Sequence, residues 1–167
     1  MAGHDVNFDE WSSAWIFFTT FNADWRPTEK VRVNARYVEQ RFYRTSDGSL
    51  VRVRMIPRLK LEYQLARPIF LRFVGQYDAL KRDALRDDSR TNAPILRAAP
   101  DGTLQPIPAV EVGGFRADWL FSYQPNPGTV VFAGYGTSLV APDFFDPRAL
   151  ERSSDGFFVK VSYLFRL

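Results

Sequence analysis

Between Val51 and Leu65 the chain changes chemistry at every residue. Val51, Val53, Met55, Pro57, Leu59, Leu61, Tyr63 and Leu65 alternate with Arg52, Arg54, Ile56, Arg58, Lys60, Glu62 and Gln64. A helix would scatter these charges around its circumference, whereas successive residues of a strand point to opposite faces, so the stretch is a strand with one apolar and one basic face. The end of the chain repeats the pattern: Phe157, Val159, Val161, Tyr163, Phe165 and Leu167 share one face, with Lys160, Ser162 and Arg166 on the other.

Five further segments alternate in the same way. From about Trp11 to Asp24, Trp11, Trp15, Phe17 and Phe21 fall on one side, and from Lys30 to Arg44, Val31, Val33, Ala35 and Tyr37 oppose Arg32, Asn34 and Arg36. The phase of the second segment slips at Val38 to Phe42, which predicts a bulge or an exit from the membrane. Ile69 to Ala79 sets Ile69, Leu71, Phe73 and Tyr77 against Arg72, Gln76 and Asp78, and Phe115 to Gln124 sets Phe115, Trp119, Phe121 and Tyr123 against Arg116 and Asp118. Thr129 to Leu139 is apolar or small on both sides. The count is seven strands, and helix is visible only in the short, charged stretch Asp78 to Asp88. Met1 to Glu10 shows no pattern, and no basic segment followed by an apolar one marks a secretory signal there.

Mean hydropathy is −0.25 and 25% of the residues are charged, so no run approaches the roughly 18 consecutive apolar residues of a spanning helix. A transmembrane barrel passes that test unseen, because only every second residue meets lipid. The connections alternate as they do in such barrels: 66–68 and 125–128 are tight, 80–113 and 140–156 are long, and 46–48 is a tight hairpin on the long-loop side. With the C-terminus in the periplasm the long loops fall outside the cell, and a closing strand with terminal aromatics is also the assembly signal of outer-membrane barrels. The expected fold is therefore all-β, an antiparallel up-and-down outer-membrane β-barrel, with residues 1–167 one segment of it. Bacterial barrels have even strand counts, so seven strands predict that earlier strands precede Met1. No cysteine is present, which excludes disulfides and thiolate metal sites.

Arg58 to Leu65, then Tyr123-Gln124-Pro125-Asn126-Pro127-Gly128-Thr129, and Asp155 to Leu167 resemble the C-terminal region of a family of uncharacterised bacterial outer-membrane proteins. Members of that family carry an N-terminal domain similar to family-nine carbohydrate-binding modules, followed by a barrel. The resemblance implies surface carbohydrate binding or uptake, with glycan recognition placed largely in the N-terminal domain. It implies no catalytic residue.

The faces define the candidate site. A lumen-facing basic wall is expected from Arg52, Arg54, Arg58, Lys60, Arg72, Arg116 and Lys160, with Arg32, Arg36 and Arg166 beside them and only Glu62, Asp78 and Asp118 opposing. Such a wall would attract anions or acidic glycans, or be neutralised by carboxylates on other strands or a plug. Trp15, Trp119, Tyr123, Tyr163 and Phe165, with Trp11, Trp25 and Tyr63, suit a membrane-interface girdle near strand ends. The expected partners are outer-membrane lipid, the barrel-assembly machinery through the last strand, and missing N-terminal strands. The alternative is a soluble β-barrel or sandwich binding an apolar ligand, with the aromatic face as its core. Pro57 donates no ladder hydrogen bond and demands an edge or a bulge.

Other chemistries find less support. Net charge is only +3 and the aromatics sit opposite the cations rather than among them, which disfavours nucleic acid. His4 is the only histidine, so a Ser-His-Asp arrangement within the barrel lacks its base. Gly134-Tyr135-Gly136-Thr137-Ser138 reads as close packing or curvature rather than phosphate binding. Asp87 to Asn92 lacks the spaced carboxylates of a calcium loop. No enzyme activity, cofactor or metal is expected.

Overall fold

The computed structural model describes residues 1–164, among which no residue is helical. Ten strands follow in chain order: β1 (Ala2–Asn7), β2 (Ser12–Thr28), β3 (Val31–Arg44), β4 (Leu50–Ala66), β5 (Ile69–Arg82), β6 (Leu96–Ala98), β7 (Leu104–Pro106), β8 (Val110–Asn126), β9 (Thr129–Ala141) and β10 (Glu151–Tyr163). Eight form one antiparallel up-and-down sheet in the order β1-β2-β3-β4-β5-β8-β9-β10, and β6 and β7 make a separate hairpin. β1 and β10 are its two edges, so the sheet is open and the expected closure into a barrel is not made among the described residues.

Each alternating segment becomes a strand, and most extend further than the pattern reaches. The helix expected at Asp78–Asp88 is replaced by the end of β5, where Ala79 pairs with Gly113, Lys81 with Glu111 and Arg82 with Val110. Pairing with β8 outweighs the weak helical preference of that charged stretch. Of the bulge or membrane exit expected over Val38 to Phe42, the ladder to β4 shows a register shift only at the far end, between Phe42 and Tyr43, while Val38 pairs regularly with Ile56 and Gln40 with Arg54. What breaks the pattern there is chemical, since Glu39 and Arg41 occupy positions that are apolar lower on the strand. Pro57 is neither at an edge nor at a bulge. It pairs with Tyr37 on the β3 side, while the ladder to β5 skips from Met55 to Arg58, so its missing donor falls in that gap.

Among the described residues the main sheet has eight strands rather than the expected seven, because Ala2–Asn7 pairs with the loop-end half of β2, Ala2 opposite Phe17 and Asn7 opposite Ser12. His4 thus belongs to a strand, its ring 3.8 Å from that of Trp15. Trp11 leaves the first strand: it sits in the turn before β2 at φ 52.

Connections sort by end. At one end, residues 29–30, 67–68 and 127–128 join strands through two-residue turns. The last places Gly128 at φ 96 after Pro127, the proline-then-glycine arrangement that a type II turn uses. At the other end lie the longer links 8–11, 45–49, 83–109 and 142–150. The long loops are therefore shorter than the expected 80–113 and 140–156, and the first contains the β6–β7 hairpin. Tertiary packing concentrates at this loop end. Ala14, Phe42 and Val51 form a buried cluster with Ile16 against it, and Phe145 of the 142–150 loop meets Tyr77 at 5.0 Å between ring centroids.

Candidate functional site

Register fixes which side chains share a face. β2 through β10 pair odd residues with odd and even with even: Trp25 with Val33, Val33 with Leu61, Leu61 with Phe73, Phe73 with Trp119, Trp119 with Tyr135 and Tyr135 with Phe157. The odd face is apolar. No odd position is charged from Trp15 to Trp25, Val31 to Tyr37, Val51 to Leu65, Ile69 to Ala79, Gly113 to Tyr123, Thr129 to Ala141 or Phe157 to Tyr163. Its charged residues Glu39, Arg41, Lys81 and Glu111 lie toward the loop end of this band, and on β10 Asp155, opposite Thr137, is joined by Arg152, which the bulge at 152–154 sets opposite Leu139. Ten residue steps from Gly113 to Tyr123 cover about 34 Å along the strand. At the tilt of about 40° that barrel strands adopt, the β8 run would stand roughly 26 Å tall, the height of a barrel's lipid belt, while the six-step runs Val31 to Tyr37 of β3 and Phe157 to Tyr163 of β10 cover about 20 Å along the strand.

This face is largely uncovered. Trp25, Leu61, Trp119, Phe157 and Val159 are 64%, 38%, 57%, 85% and 66% exposed, where a sandwich would bury them. Soluble monomers rarely leave a contiguous apolar surface of this extent bare. Trp25, Tyr63, Tyr123 and Tyr163 fall within the last four residues of β2, β4, β8 and β10, at the turn end. Trp15 lies near the loop end of β2, whereas Trp119 sits mid-strand in β8, its ring 4.4 Å from that of Phe73. Phe165 and Arg166 lie outside the described residues.

The even face gathers the predicted cations. Arg52, Arg54, Arg58, Lys60, Arg72, Arg116 and Lys160 all stand on it, with Arg32 and Arg36. Five of the nine are paired within the face or with the N-terminal turn: Arg32 with Asp24 at 2.7 Å, Arg54 with Asp78 at 2.6 Å, Lys60 with Glu62 at 3.1 Å, Arg116 with Asp118 at 3.2 Å and Arg52 with Asp9 at 3.0 Å. Arg52 also lies over the Phe42 ring, 4.5 Å from its centroid. The acids on this face thus number more than Glu62, Asp78 and Asp118, since Asp24, an even position of β2, and Asp9, from the turn before β2, join them. A cavity of about 690 Å³ is lined by Arg58, Lys60, Arg72, Arg116, Ser138 and Ser154, among others.

The glycine patch of β9 has a packing role. A Cβ on Gly134 would stand 2.2 Å from the Phe158 ring, and one on Gly136 would stand 2.8 Å from an Asp118 carboxylate oxygen. Both neighbours occupy the space that the missing side chains leave.

One cluster is absent from the sequence reading. At the loop end Arg44 is fully buried; its Nη2 donates to Glu10 at 2.6 Å and to the Ala84 carbonyl at 3.0 Å, and its Nη1 donates to Asp83 at 2.8 Å and to Ser49 at 3.0 Å. Glu10 also accepts from the Arg86 backbone amide at 3.0 Å and from Asn7 at 3.2 Å. Arg86 reaches back to Asp47 at 2.6 Å. Burial disfavours charge on Arg44, yet its bonds to Glu10 and Asp83 outweigh that cost and raise its pKa. The network clamps the turn before β2, the β3–β4 hairpin and the start of the 83–109 loop together.

No family model, curated protein or solved structure matches the chain.

Proposed function

We propose that this sheet is part of the wall of a bacterial outer-membrane β-barrel, with its odd face toward lipid and its even face toward the interior. The observation that carries the reading is the uncharged apolar band of the odd face, which crosses seven strands, is exposed toward the turn end and on β8 is as tall as a bilayer's hydrocarbon region. Two-residue turns at one end and longer loops at the other fit the periplasmic and extracellular rims of such barrels. In this reading the open edges, β10 on one side and β1 with the turn-end half of β2 beyond it on the other, are completed by further strand pairing, because a bare edge in lipid would leave its backbone groups unsatisfied. The biochemical role of the segment is architectural: it lines a basic interior and presents the 83–109 and 142–150 loops outside. By the resemblance of the chain from about Tyr43 onward, the whole protein serves carbohydrate binding or uptake at the cell surface.

The test is fractionation of native cells, with an antibody to residues 142–150 and boiled and unboiled samples compared. A heat-shifted band in the outer membrane is the expected result. A band at 19.2 kDa that stays in the soluble fraction would overturn the proposal and give first place to a soluble protein binding an apolar ligand. The groove of about 410 Å³ between Phe21, Tyr37, Leu59, Phe73 and Phe115 would then be the place to look for that ligand.

A further inference from the structure

We propose that the middle of the even face is a binding site for an oxyanion, phosphate or carboxylate, carried on a small solute. The proposal rests on the reading above in taking the even face as the solvated interior of a barrel. Its first support is a continuous polar rung. Asn22 pairs with Arg36, Arg36 with Arg58, Arg58 with Gln76, Gln76 with Arg116 and Arg116 with Ser138, so five adjacent strand pairs bring six polar side chains into one row without an acid among them.

Arg36 and Arg58 stand directly opposite each other within that row. Like charges in this position destabilise a sheet, and among the described residues neither arginine has a carboxylate partner, nor does Arg72, four residues toward the turn end from Gln76 on β5. Their neighbours show that pairing was open to them, since Arg32, Arg54, Lys60 and Arg116 all meet acids on the same face. Two guanidinium groups on opposed strands match an oxyanion well, because each offers a planar fork of donors to phosphate or carboxylate oxygens.

Space for a ligand adjoins the unpaired cations. The cavity of about 690 Å³ has the unpaired Arg58 and Arg72 in its lining, with the ion-paired Arg116 and Asp118 beside them and Ser138, Ser154 and Asp155 also lining it. That volume falls among those of small-molecule sites, about 300–1,000 Å³. Gly136 pairs directly with Gly156; the Asp118 carboxylate covers Gly136, but nothing stands within 4 Å of a Cβ placed on Gly156, so it is at Gly156, beside the hydroxyls, that a ligand can approach bare backbone closely.

The test is calorimetric titration of the full chain, folded in detergent micelles, with inorganic pyrophosphate, with digalacturonate and with maltose as the uncharged comparison. At least one anion binds and maltose does not; which anion binds tells a phosphate ligand from a carboxylated sugar. Arg58→Gln weakens that binding at least tenfold. Arg36→Gln does the same, and also raises the unfolding midpoint in the absence of the anion, because it removes the opposed charge. Arg32→Gln, on the same face but already held by Asp24, changes binding by less than twofold. The proposal fails if wild type binds neither anion, or if Arg32→Gln weakens binding as much as Arg58→Gln, which would mean diffuse attraction to a basic surface. A chain that needs detergent yet binds neither anion would remove the site and leave the membrane reading. A chain that dissolves without detergent would remove the membrane reading and leave the titration valid.

Discussion

Arg44 and Glu10 meet at 2.6 Å with neither side chain exposed to solvent, although 34 residues separate them. Removing one partner of such a pair leaves an uncompensated buried charge, at a cost of about 3–5 kcal/mol. Glu10→Ala is therefore expected to destabilise the chain by about that amount and to open the 83–109 loop to limited proteolysis. Asp83→Asn, whose side chain is 50% exposed, should cost under about 1 kcal/mol. Equal effects of the two substitutions, read by denaturant unfolding in detergent, would show that the clamp does not depend on the buried pair.

The same clamp carries a pH dependence. The Ser49 amide and hydroxyl, with Arg86, hold Asp47 well below the usual carboxylate range, and the bond from Arg44 lowers Asp83. Both pKa values are depressed in the folded state, so their contribution is complete above the ordinary carboxylate value of 3.8 and is lost as pH falls through the folded values. Pepsin should spare the 83–109 loop at pH 4 and cut it at pH 2. In the Asp47→Asn, Asp83→Asn double variant this contrast should flatten, and an unchanged contrast would assign the pH response to other groups.

The strands of the main sheet were legible because period two is written directly in residues such as Val51 to Leu65. β1 was not, since Ala2–Asn7 has no alternation of its own and is held by backbone pairing to β2. The clamp was equally hidden: Glu10, Arg44, and the Asp83 and Arg86 pair come from three separate segments, and only the fold brings them together. For the even face, alternation assigned each arginine its side, but not its row. Which arginine faces which depends on register, and so on the two-residue turns at 29–30 and 67–68. Opposition of Arg36 and Arg58, and the pairing of Arg32 with Asp24, follow from that register and from nothing local.

Leu61 and Arg54 stand on opposite faces of β4, which makes them a direct test of which face meets lipid. Leu61→Arg should cost about 2–4 kcal/mol if the odd face lies at the bilayer midplane. Arg54→Gln should be much milder, since it exchanges one end of an exposed ion pair with Asp78 for a neutral polar group. Both are measured by urea titration of folding into lipid vesicles. Tolerance of the first substitution together with failure of the second would reverse the assignment of faces.

Gly134 and Phe158 are directly paired across β9 and β10, and the ring covers the glycine closely enough that an added Cβ would stand 2.2 Å from it. Gly134→Ala must push that ring aside, an overpacking cost of about 1–3 kcal/mol. β10 is an edge strand among the described residues, so the ring can swing outward and the cost belongs at the lower end of that range. In a Phe158→Ala background the obstruction is gone, and Gly134→Ala should become neutral or slightly stabilising, because alanine loses less backbone entropy than glycine on folding. The double-mutant cycle isolates this contact. Additive effects of the two substitutions would mean that the ring does not occupy the glycine's face, and that small residues are needed in β9 for curvature instead.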